Sequence, residues 1–320
     1  MRGAQRGVAL LVVLWACTLL AILVGGFASI ARVEALQTRS TLGQQRARYA
    51  AEAGITRAIV LIEARRRQAF AVYTGGTPLA AAGIPGDGRS LTFDFDDVHV
   101  AVGMLDETGK VDINSADPRA LKALFVAAGC SQARADELTR HVRDRRGPMA
   151  ASVADDGSQP ATGPSPVSGV PAGKYKPFVA IEELQALPGM DPALYSALEP
   201  VVTIWSGQSA PQPDFAPVLA MAAVRGLDLG TAREVVAIRD SVAPGTVLRN
   251  LPGGITLGDA LSGNTMTFRA EAADGRGARA TVEATVQFTL MGPERDPRQK
   301  LYTVLRWRDG PSLTEIGRSG

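Results

Sequence analysis

The chain has 320 residues, in which 34 lysine and arginine residues nearly balance 32 aspartate and glutamate residues to give a net charge of +2. This length is too great for one small domain and indicates two folded units beyond an N-terminal apolar segment. The basic residues are spread through the chain and form no basic tract, so composition gives no reason to expect nucleic acid as a partner.

Residues that commonly carry catalysis or bind metals are scarce. The two histidines, His99 and His141, cannot form a multi-histidine metal site, and the sequence contains no nucleophile elbow, P-loop or zincin motif. Of the two cysteines, Cys17 falls in the apolar segment and Cys130 lies far beyond it, so no intrachain disulfide is expected. We expect Cys130 to be a buried apolar residue and the protein not to be an enzyme.

An uncharged stretch from Val8 to Ala31 follows a short leader that contains Arg2 and Arg6 and ends at Gly7. A helix of this length spans about 36 Å, enough to cross the hydrocarbon core of a bilayer. The run is longer than the apolar core of a secretory signal, and the most cleavable position precedes it, so cleavage would leave the anchor on the mature chain. The basic leader predicts a cytoplasmic N-terminus and places the rest of the chain outside the inner membrane.

The helical pattern continues beyond the apolar segment, because no proline occurs before Pro78 and good helix formers dominate as far as Gln68. Apolar residues recur there at spacings of three and four and predict a stripe that docks on a sheet. The stripe consists of Ala47, Ala51, Ile55, Ala58 and Ile62. An anchored periplasmic coiled coil would show a similar pattern.

Alternating apolar residues predict strands in two separate parts of the chain. The first part covers Leu91 to Phe95 and Val98 to Met104, with His99 on the outer face as a solvated residue. The second part is a hairpin, Met266 to Ala272 and Ala280 to Phe288 around a turn at Asp274 and Gly275, followed by a strand from Leu301 to Trp307. In that last strand we expect Leu301, Leu305 and Trp307 to share one face.

A helical block from about Val111 to Asn250 separates the two sheet parts. Its predicted helices begin after a cap at Ser115 or Asp117, with Pro118 in the first turn, and a second helix covers Gln132 to Arg143. A further pair covers Pro217 to Val224 and Thr231 to Arg239. The fold class is therefore α+β: a long N-terminal helix packed on an antiparallel sheet, with a large inserted all-helical domain.

The segment from Phe178 to Leu198 has the outline of a helix-hairpin-helix, whose glycine-rich turn offers backbone N–H groups to a DNA phosphate. The DNA-binding form reads Pro-Gly-Ile-Gly, whereas this turn reads Pro-Gly-Met-Asp and ends at Asp191, which carries a negative charge where a phosphate would bind. No cluster of basic residues surrounds it. The favoured interpretation is a helix pair packed for its own core, and a membrane-anchored DNA-uptake receptor is the alternative.

Acidic residues near the first two strands are the candidates for a calcium site, namely Asp94, Asp96, Asp97, Asp106 and Glu107. Their spacing matches no calcium-binding loop. Asp94 and Asp96 are expected on one strand face and Asp97 on the other, so a solvated edge is the favoured interpretation. No cofactor is predicted, and calcium is the single ion left open.

The Arg6-Gly7-Val8 junction resembles the class III signal of type IV pilins and of type II secretion pseudopilins. The resemblance implies that a prepilin peptidase cleaves between Gly7 and Val8 and methylates the new N-terminus at Val8, although Phe or Met is commoner there. The fifth mature residue would be Val12, where most members carry a glutamate. The minor pseudopilin K is the member known for lacking it.

Two internal segments are similar to those of the same family. Residues 109–116, Gly-Lys-Val-Asp-Ile-Asn-Ser-Ala, resemble the start of the inserted helical domain of pseudopilin K, and residues 178–202 resemble its later Glu-Glu-Leu, Pro-Gly and Pro-Val-Val segment. The resemblance implies a pilin-like fold and a non-enzymatic subunit at the tip of the type II secretion pseudopilus, needed for its assembly and for export of folded proteins across the outer membrane. Its partners would be the I and J minor pseudopilins, the major pseudopilin, the prepilin peptidase and the inner membrane, with no nucleic acid. A type IV pilus minor pilin, or an anchor that is never cleaved, remains an alternative.

The predicted units follow the chain in order. They are a leader at 1–7, a transmembrane helix at 8–31, the periplasmic half of the helix at 32–70, the first sheet part at 71–110, the helical domain at 111–250 with a mobile loop at 147–173, the second sheet part at 251–310 and a tail at 311–320.

Overall fold

The computed structural model describes residues 5–73, 86–147, 175–224, 227–258, 262–289 and 300–310. In the N-terminal helix, side chains are described from Leu10 to Arg67. The predicted tail, nearly all of the predicted loop at 147–173 and residues 1–4 of the predicted leader lie outside these residues.

Helices and strands alternate in separate blocks along the chain. The elements are α1 (Gln5–Tyr73), β1 (Asp87–Phe95), β2 (Val98–Asp106), β3 (Val111–Asp112), α2 (Pro118–Ala127), α3 (Gln132–Arg146), α4 (Pro192–Leu198), β4 (Val202–Thr203), α5 (Val218–Ala223), α6 (Leu229–Asp240), β5 (Leu248–Leu251), β6 (Ile255–Leu257), β7 (Thr265–Asp274), β8 (Arg279–Phe288) and β9 (Tyr302–Asp309). A 3₁₀ helix, Ile181–Ala186, precedes α4. The predicted α+β class, with a long first helix, an antiparallel sheet and inserted helices, is confirmed.

The two halves of helix α1 have different surroundings. Within the described residues, it is the one helix long and apolar enough to cross a membrane. Its first half is exposed, while the predicted stripe in its second half is fully buried against the sheet, because apolar residues three and four apart lie on one helix face.

The main sheet has the order β1-β2-β7-β8-β9, and all neighbouring strands are antiparallel. Along β2 and β7, Val98 lies opposite Asp274 and Asp106 lies opposite Met266. The two strands therefore form a hairpin whose loop is residues 107–265. The whole helical insert occupies this loop.

The apolar half of α1 and the insert lie at opposite ends of the sheet. Gly43 of α1 packs beside Ala278, at the turn between β7 and β8, whereas Arg66 donates to the Gly263 carbonyl at the other end of the sheet. Because the apolar half of α1 extends from the Gly43 end, the insert begins at the end of the sheet opposite that apolar half.

The insert has its own core, built from α2 to α6 and two small sheets, one parallel (β3-β4) and one antiparallel (β5-β6). The β5-β6 pair was not predicted. The element before the Pro-Gly turn is a 3₁₀ helix and not an α-helix, and α3 continues three residues beyond Arg143 to Arg146. Asp117 occupies the N-cap of α2, with Pro118 next, but its side chain makes no capping hydrogen bond.

Strand β9 contains an irregularity that corrects one prediction. Arg306 pairs with Thr285, but Val304 pairs with Val286, so one residue bulges out between them. The bulge shifts the alternation of side chains, and the prediction that Leu301, Leu305 and Trp307 share one face is wrong. Trp307 lies opposite Ala284, on the face that packs against α1.

Gly54 lets α1 approach the sheet closely, and this contact can be tested. A Cβ at Gly54 would lie 2.7 Å from Cγ1 of Val100 and 3.1 Å from Cγ2 of Val102. We expect Gly54→Val to lower the free energy of unfolding by about 1–3 kcal/mol through overpacking. Urea denaturation of the full chain in detergent measures this. Ala53→Val, on the exposed side of the same helix turn, is the matched control and should change stability by less than about 0.5 kcal/mol. Equal effects of the two substitutions would contradict the close approach.

Candidate assembly site

The first half of α1 presents an apolar surface on all sides. From Leu10 to Ile30 the helix has no charged residue, and large side chains such as Trp15 and Phe27 are exposed. Val12, at the predicted fifth mature position, is likewise exposed. Such a surface requires lipid or other apolar helices around it. Gly7 and Val8 lie near the start of α1, and cleavage between them stays a prediction.

An uncharged stripe continues from this surface along the side of α1 that faces away from the sheet. We call it the outer stripe. Its exposed members follow the spacing of three and four residues and are Tyr49, Ala53, Thr56, Val60 and Ala64. A second helix running beside α1 out of the membrane would find apolar contacts along it.

Asp106 holds the two connections between sheet and insert together. One carboxylate oxygen accepts hydrogen bonds from the backbone N–H and the hydroxyl of Thr108 on the outgoing chain (2.9 and 2.6 Å). The other accepts from the hydroxyl of Ser262 and the N–H of Gly263 on the returning chain (2.6 and 2.8 Å). Burial raises the pKa of the Asp106 carboxyl above its ordinary value of 3.8, and the four hydrogen bonds offset this only in part.

Glu107 forms a second buried contact at the same junction. Its Oε1 accepts from Nζ of Lys110 and from the hydroxyl of Thr267, each at 2.6 Å, and Thr267 in turn contacts Thr285 on β8. The prediction of a solvated edge is therefore wrong for Asp106 and Glu107, which are 0% exposed. The strand end that carries them is covered by the insert.

The other three acidic residues lie at the opposite end of the sheet. Asp94 is exposed and pairs with the exposed His99 across the strands (2.5 Å), which confirms His99 as a solvated sheet residue. Asp96 and Asp97 form the tight turn, where Asp96 has a positive φ of 52°. Asp94 and Asp96 therefore do not share a strand face. In the described part of the chain, no group of three or more metal-binding side chains occurs.

Ion pairs fasten the insert to the sheet face that is turned away from α1. Arg306 on β9 pairs with Glu182 in the 3₁₀ helix, and Arg308 pairs with Glu199 (2.5 Å) after α4 and with Glu283 on β8 (2.8 Å). Because these charges are partly exposed, salt weakens their attraction. The two faces of the sheet are thus attached by different forces, apolar on the α1 side and ionic on the insert side.

The two segments that resemble pseudopilin K are joined to each other in space. Val111 and Asp112 pair with Val202 and Thr203 as β3 and β4. The amide of Asn114 donates to the carbonyl of Phe178 and accepts from its N–H, each at 2.9 Å. The motif residues are therefore structural groups that close the insert.

Sequence reasoning missed the roles of Asp112 and Arg146 in this closure. Asp112 accepts from the N–H groups of Asn114 and Gly207, each at 2.8 Å, and burial raises the pKa of its carboxyl. Arg146 donates to the carbonyls of Ile113 and Ala116. An Asp two residues before Asn114 is a signal for such a turn, because aspartate often bonds the N–H two residues on.

The turn of the helix-hairpin-helix outline is occupied by the protein's own groups. Asp191 caps α4 by accepting from the N–H of Leu194 (2.8 Å), and Arg134 of α3 pairs with Asp191 (2.5 Å) and donates to the Gly189 carbonyl (2.7 Å). The Leu194 N–H and then Arg134 lower the pKa of Asp191, so its charge persists. Leu184 and Leu198 belong to the core of the insert. These contacts favour the structural interpretation of the helix pair.

Together, a helix that is apolar and exposed in its first half, a sheet that packs on its second half, and a helical domain in a hairpin loop define a pilin-like fold whose first helix is compatible with a single-pass membrane anchor. Residues 100–207 match the family model of type II secretion system protein K. These residues therefore carry a domain of the protein K family, which confirms the family resemblance seen in the motifs.

The chain is also similar to a chain in the crystal structure of the GspK-GspI-GspJ complex of the type 2 secretion system from enterotoxigenic Escherichia coli. The two are 14% identical, with a TM-score of 0.49, and the likeness covers 86% of this chain and 100% of that one. No curated protein matches the chain.

The buried carboxylate of Asp106 predicts an unusual pH dependence of stability. With its pKa raised in the folded state, this group contributes stability that is fully present below the ordinary value of 3.8 and is lost as the pH rises through the raised value. We expect the wild-type protein to gain stability relative to Asp106→Asn as the pH falls from 7. Between the raised pKa of the folded state and the ordinary value of 3.8, the gain should be about 1.4 kcal/mol for each pH unit.

Urea denaturation of both proteins at several pH values measures this difference. Asp96→Asn, in the exposed turn, controls for the loss of one negative charge. A stability difference between wild type and Asp106→Asn that stays constant or shrinks toward low pH would contradict the prediction.

Proposed function

We propose that this protein is a minor pseudopilin that lies at the tip of the type II secretion pseudopilus and is needed for its assembly and for export of folded proteins across the outer membrane. It is held in the inner membrane by α1 as a single-pass anchor, with a cytoplasmic N-terminus and the bulk of the chain in the periplasm. The observation that carries the proposal is the position of the insert, at the end of the sheet opposite the anchor.

Subunits that share a bundle of N-terminal helices lie above one another along the axis, so each needs a free surface at its membrane-distal end. Here residues 107–265 leave the sheet at that end, at Asp106 and Met266. A subunit built this way has space for neighbours below and beside it, and its insert blocks the position above.

The composition of the anchor supports the same position. An acidic side chain in lipid is costly unless it is paired. In type IV pilins and pseudopilins, the glutamate at the fifth mature position is the acid that neutralises the N-terminal amine of a neighbouring subunit. This anchor has Val12 at the corresponding position. A subunit that has no neighbour above it needs no such acid.

The proposed partners follow from the surfaces. The exposed anchor and the outer stripe suit the N-terminal helices of the I and J minor pseudopilins and of the major pseudopilin, and the leader suits the prepilin peptidase. We also propose that the protein is not an enzyme, needs no cofactor and binds no nucleic acid. The described contacts of Asp106, Glu107, Asp112 and Asp191 are structural, which supports this view.

Processing at the leader is the first test. We expect the mature protein to begin at a methylated Val8, and Gly7→Leu to leave the leader intact because a bulky side chain replaces the glycine at the cleaved bond. N-terminal sequencing and mass spectrometry of membrane-extracted protein measure this, with Gly3→Leu as the matched control. An intact leader on the wild-type protein, in cells with active peptidase, would refute processing.

The position at the tip is the second test. Deletion of the gene should abolish secretion of exoproteins and leave pilus-dependent motility unchanged. Residues 107–265 can be replaced by Asn-Gly, because Asp106 and Met266 face each other and a two-residue turn joins such a pair.

Labelling with antibodies should find the full chain only at fibre ends. Secretion should fail with the shortened chain. If the full chain were found along the length of the fibre, the proposal would be refuted.

A further inference from the structure

Strand β9 leaves an apolar surface beside α1. It is the last strand of the sheet, and its Val304 and Trp307 lie opposite Val286 and Ala284, on the α1 side. Their exposed fractions are 43% and 44%. Tyr302, on the same face, packs on the core shared by α1 and the sheet. In the described part of the chain, this edge therefore keeps two large apolar side chains in solvent.

The opposite edge of the sheet is covered differently. On β1, Phe93 and its apolar neighbours are half-buried, and the guanidinium of Arg57 lies 5.0 Å from the centre of the Phe93 ring. Closer to the membrane, Arg46 faces Asp97 at 3.9 Å. A helix that approached α1 from the β1 side would meet these charges and would have to displace the cation from the ring.

The charged residues described on the β9 side of α1 form ion pairs, and Arg48 also pairs with Glu52 one helix turn farther along (3.1 Å). Arg48 of α1 pairs with Asp309 (3.3 Å) near the membrane, and Arg67 pairs with Glu63 (3.3 Å) at the far end. Between them lie Val304 and Trp307, and the outer stripe borders the groove along α1. We call the surface formed by Val304, Trp307 and the adjoining outer stripe the β9 groove.

We propose that the β9 groove receives the periplasmic half of the N-terminal helix of a different pilin-like subunit. The proposal rests on the proposed function, since it requires a neighbour anchored in the same bilayer. A helix whose apolar half lies beside Leu10–Ile30 in the lipid must leave the membrane roughly parallel to α1. On each side it first passes an ion pair, Arg46 with Asp97 on the β1 side and Arg48 with Asp309 on the β9 side. Beyond that pair, the β9 side offers the exposed Val304 and Trp307, whereas the β1 side carries Arg57 over the Phe93 ring. The occupant is thus an amphipathic helix with an apolar stripe.

A photo-reactive benzoylphenylalanine at position 304 of the full chain, in membranes of cells with the complete secretion system, tests the proposal. The same group at position 57 is the matched control on the β1 side. We expect position 304 to form a covalent product with another pseudopilin, identified by mass spectrometry, and position 57 to form little. Trp307→Ala should lower the yield from position 304 about tenfold, as loss of a tryptophan anchor does, whereas Val179→Ala on the insert should not.

The identity of the cross-linked product shows whether the proposal holds. A homodimer, or a product within one chain formed by residues 290–299 or 311–320, would overturn the proposal, because the groove would then have another occupant. A product with another pseudopilin from position 57 alone would also overturn it and leave the proposed function intact. If neither position yields a pseudopilin product and gene deletion leaves secretion unchanged, the proposed function fails together with it.

Discussion

The close packing of α1 on the sheet determines the position of everything else in the chain. One unbroken helix is both the proposed anchor and a layer of the folded core, so the angle at which it leaves the sheet would set the orientation of the protein on a membrane. The absence of a side chain at Gly54, against Val100 and Val102, permits that contact. A glycine inside a helix costs about 1 kcal/mol relative to alanine, and the buried apolar stripe offsets this cost.

Buried polar groups fix the orientation of the insert relative to the sheet. Asp106 binds both connecting segments, and Glu107 joins the first of them to Thr267 on β7. A buried carboxylate without partners would be costly, and four hydrogen bonds make this one tolerable. Since hydrogen bonds are directional, the junction restricts how the insert can turn relative to the sheet. A rigid junction is what a subunit needs if its insert is to occupy one place at the end of a fibre.

Much of the fold could be predicted because its signals are local. The spacing of three and four along α1, and the alternation in β1, β2, β7 and β8, each report on one element and one buried face. The junction could not be predicted in this way. Asp106 and Glu107 continue an alternating strand and look solvated, and only the return of the chain at Ser262 and Gly263, far along the sequence, buries them. The bulge in β9 is set by pairing with β8, so the sequence of β9 alone places Leu305 on the wrong face.

The candidate site shows the same division between local and distant information. The anchor and its junction at Gly7 are sequence features that need no tertiary structure to be recognised, whereas the β9 groove exists only because an edge strand and a helix distant in sequence lie side by side. The ionic attachment of Arg306 and Arg308 to the insert occupies the outer face of the same strand. Because β9 contacts the insert on one face and borders α1 on the other, a helix bound in the groove would touch the element that carries the insert. Binding in the groove would therefore couple assembly of the helices to placement of the insert through a single strand.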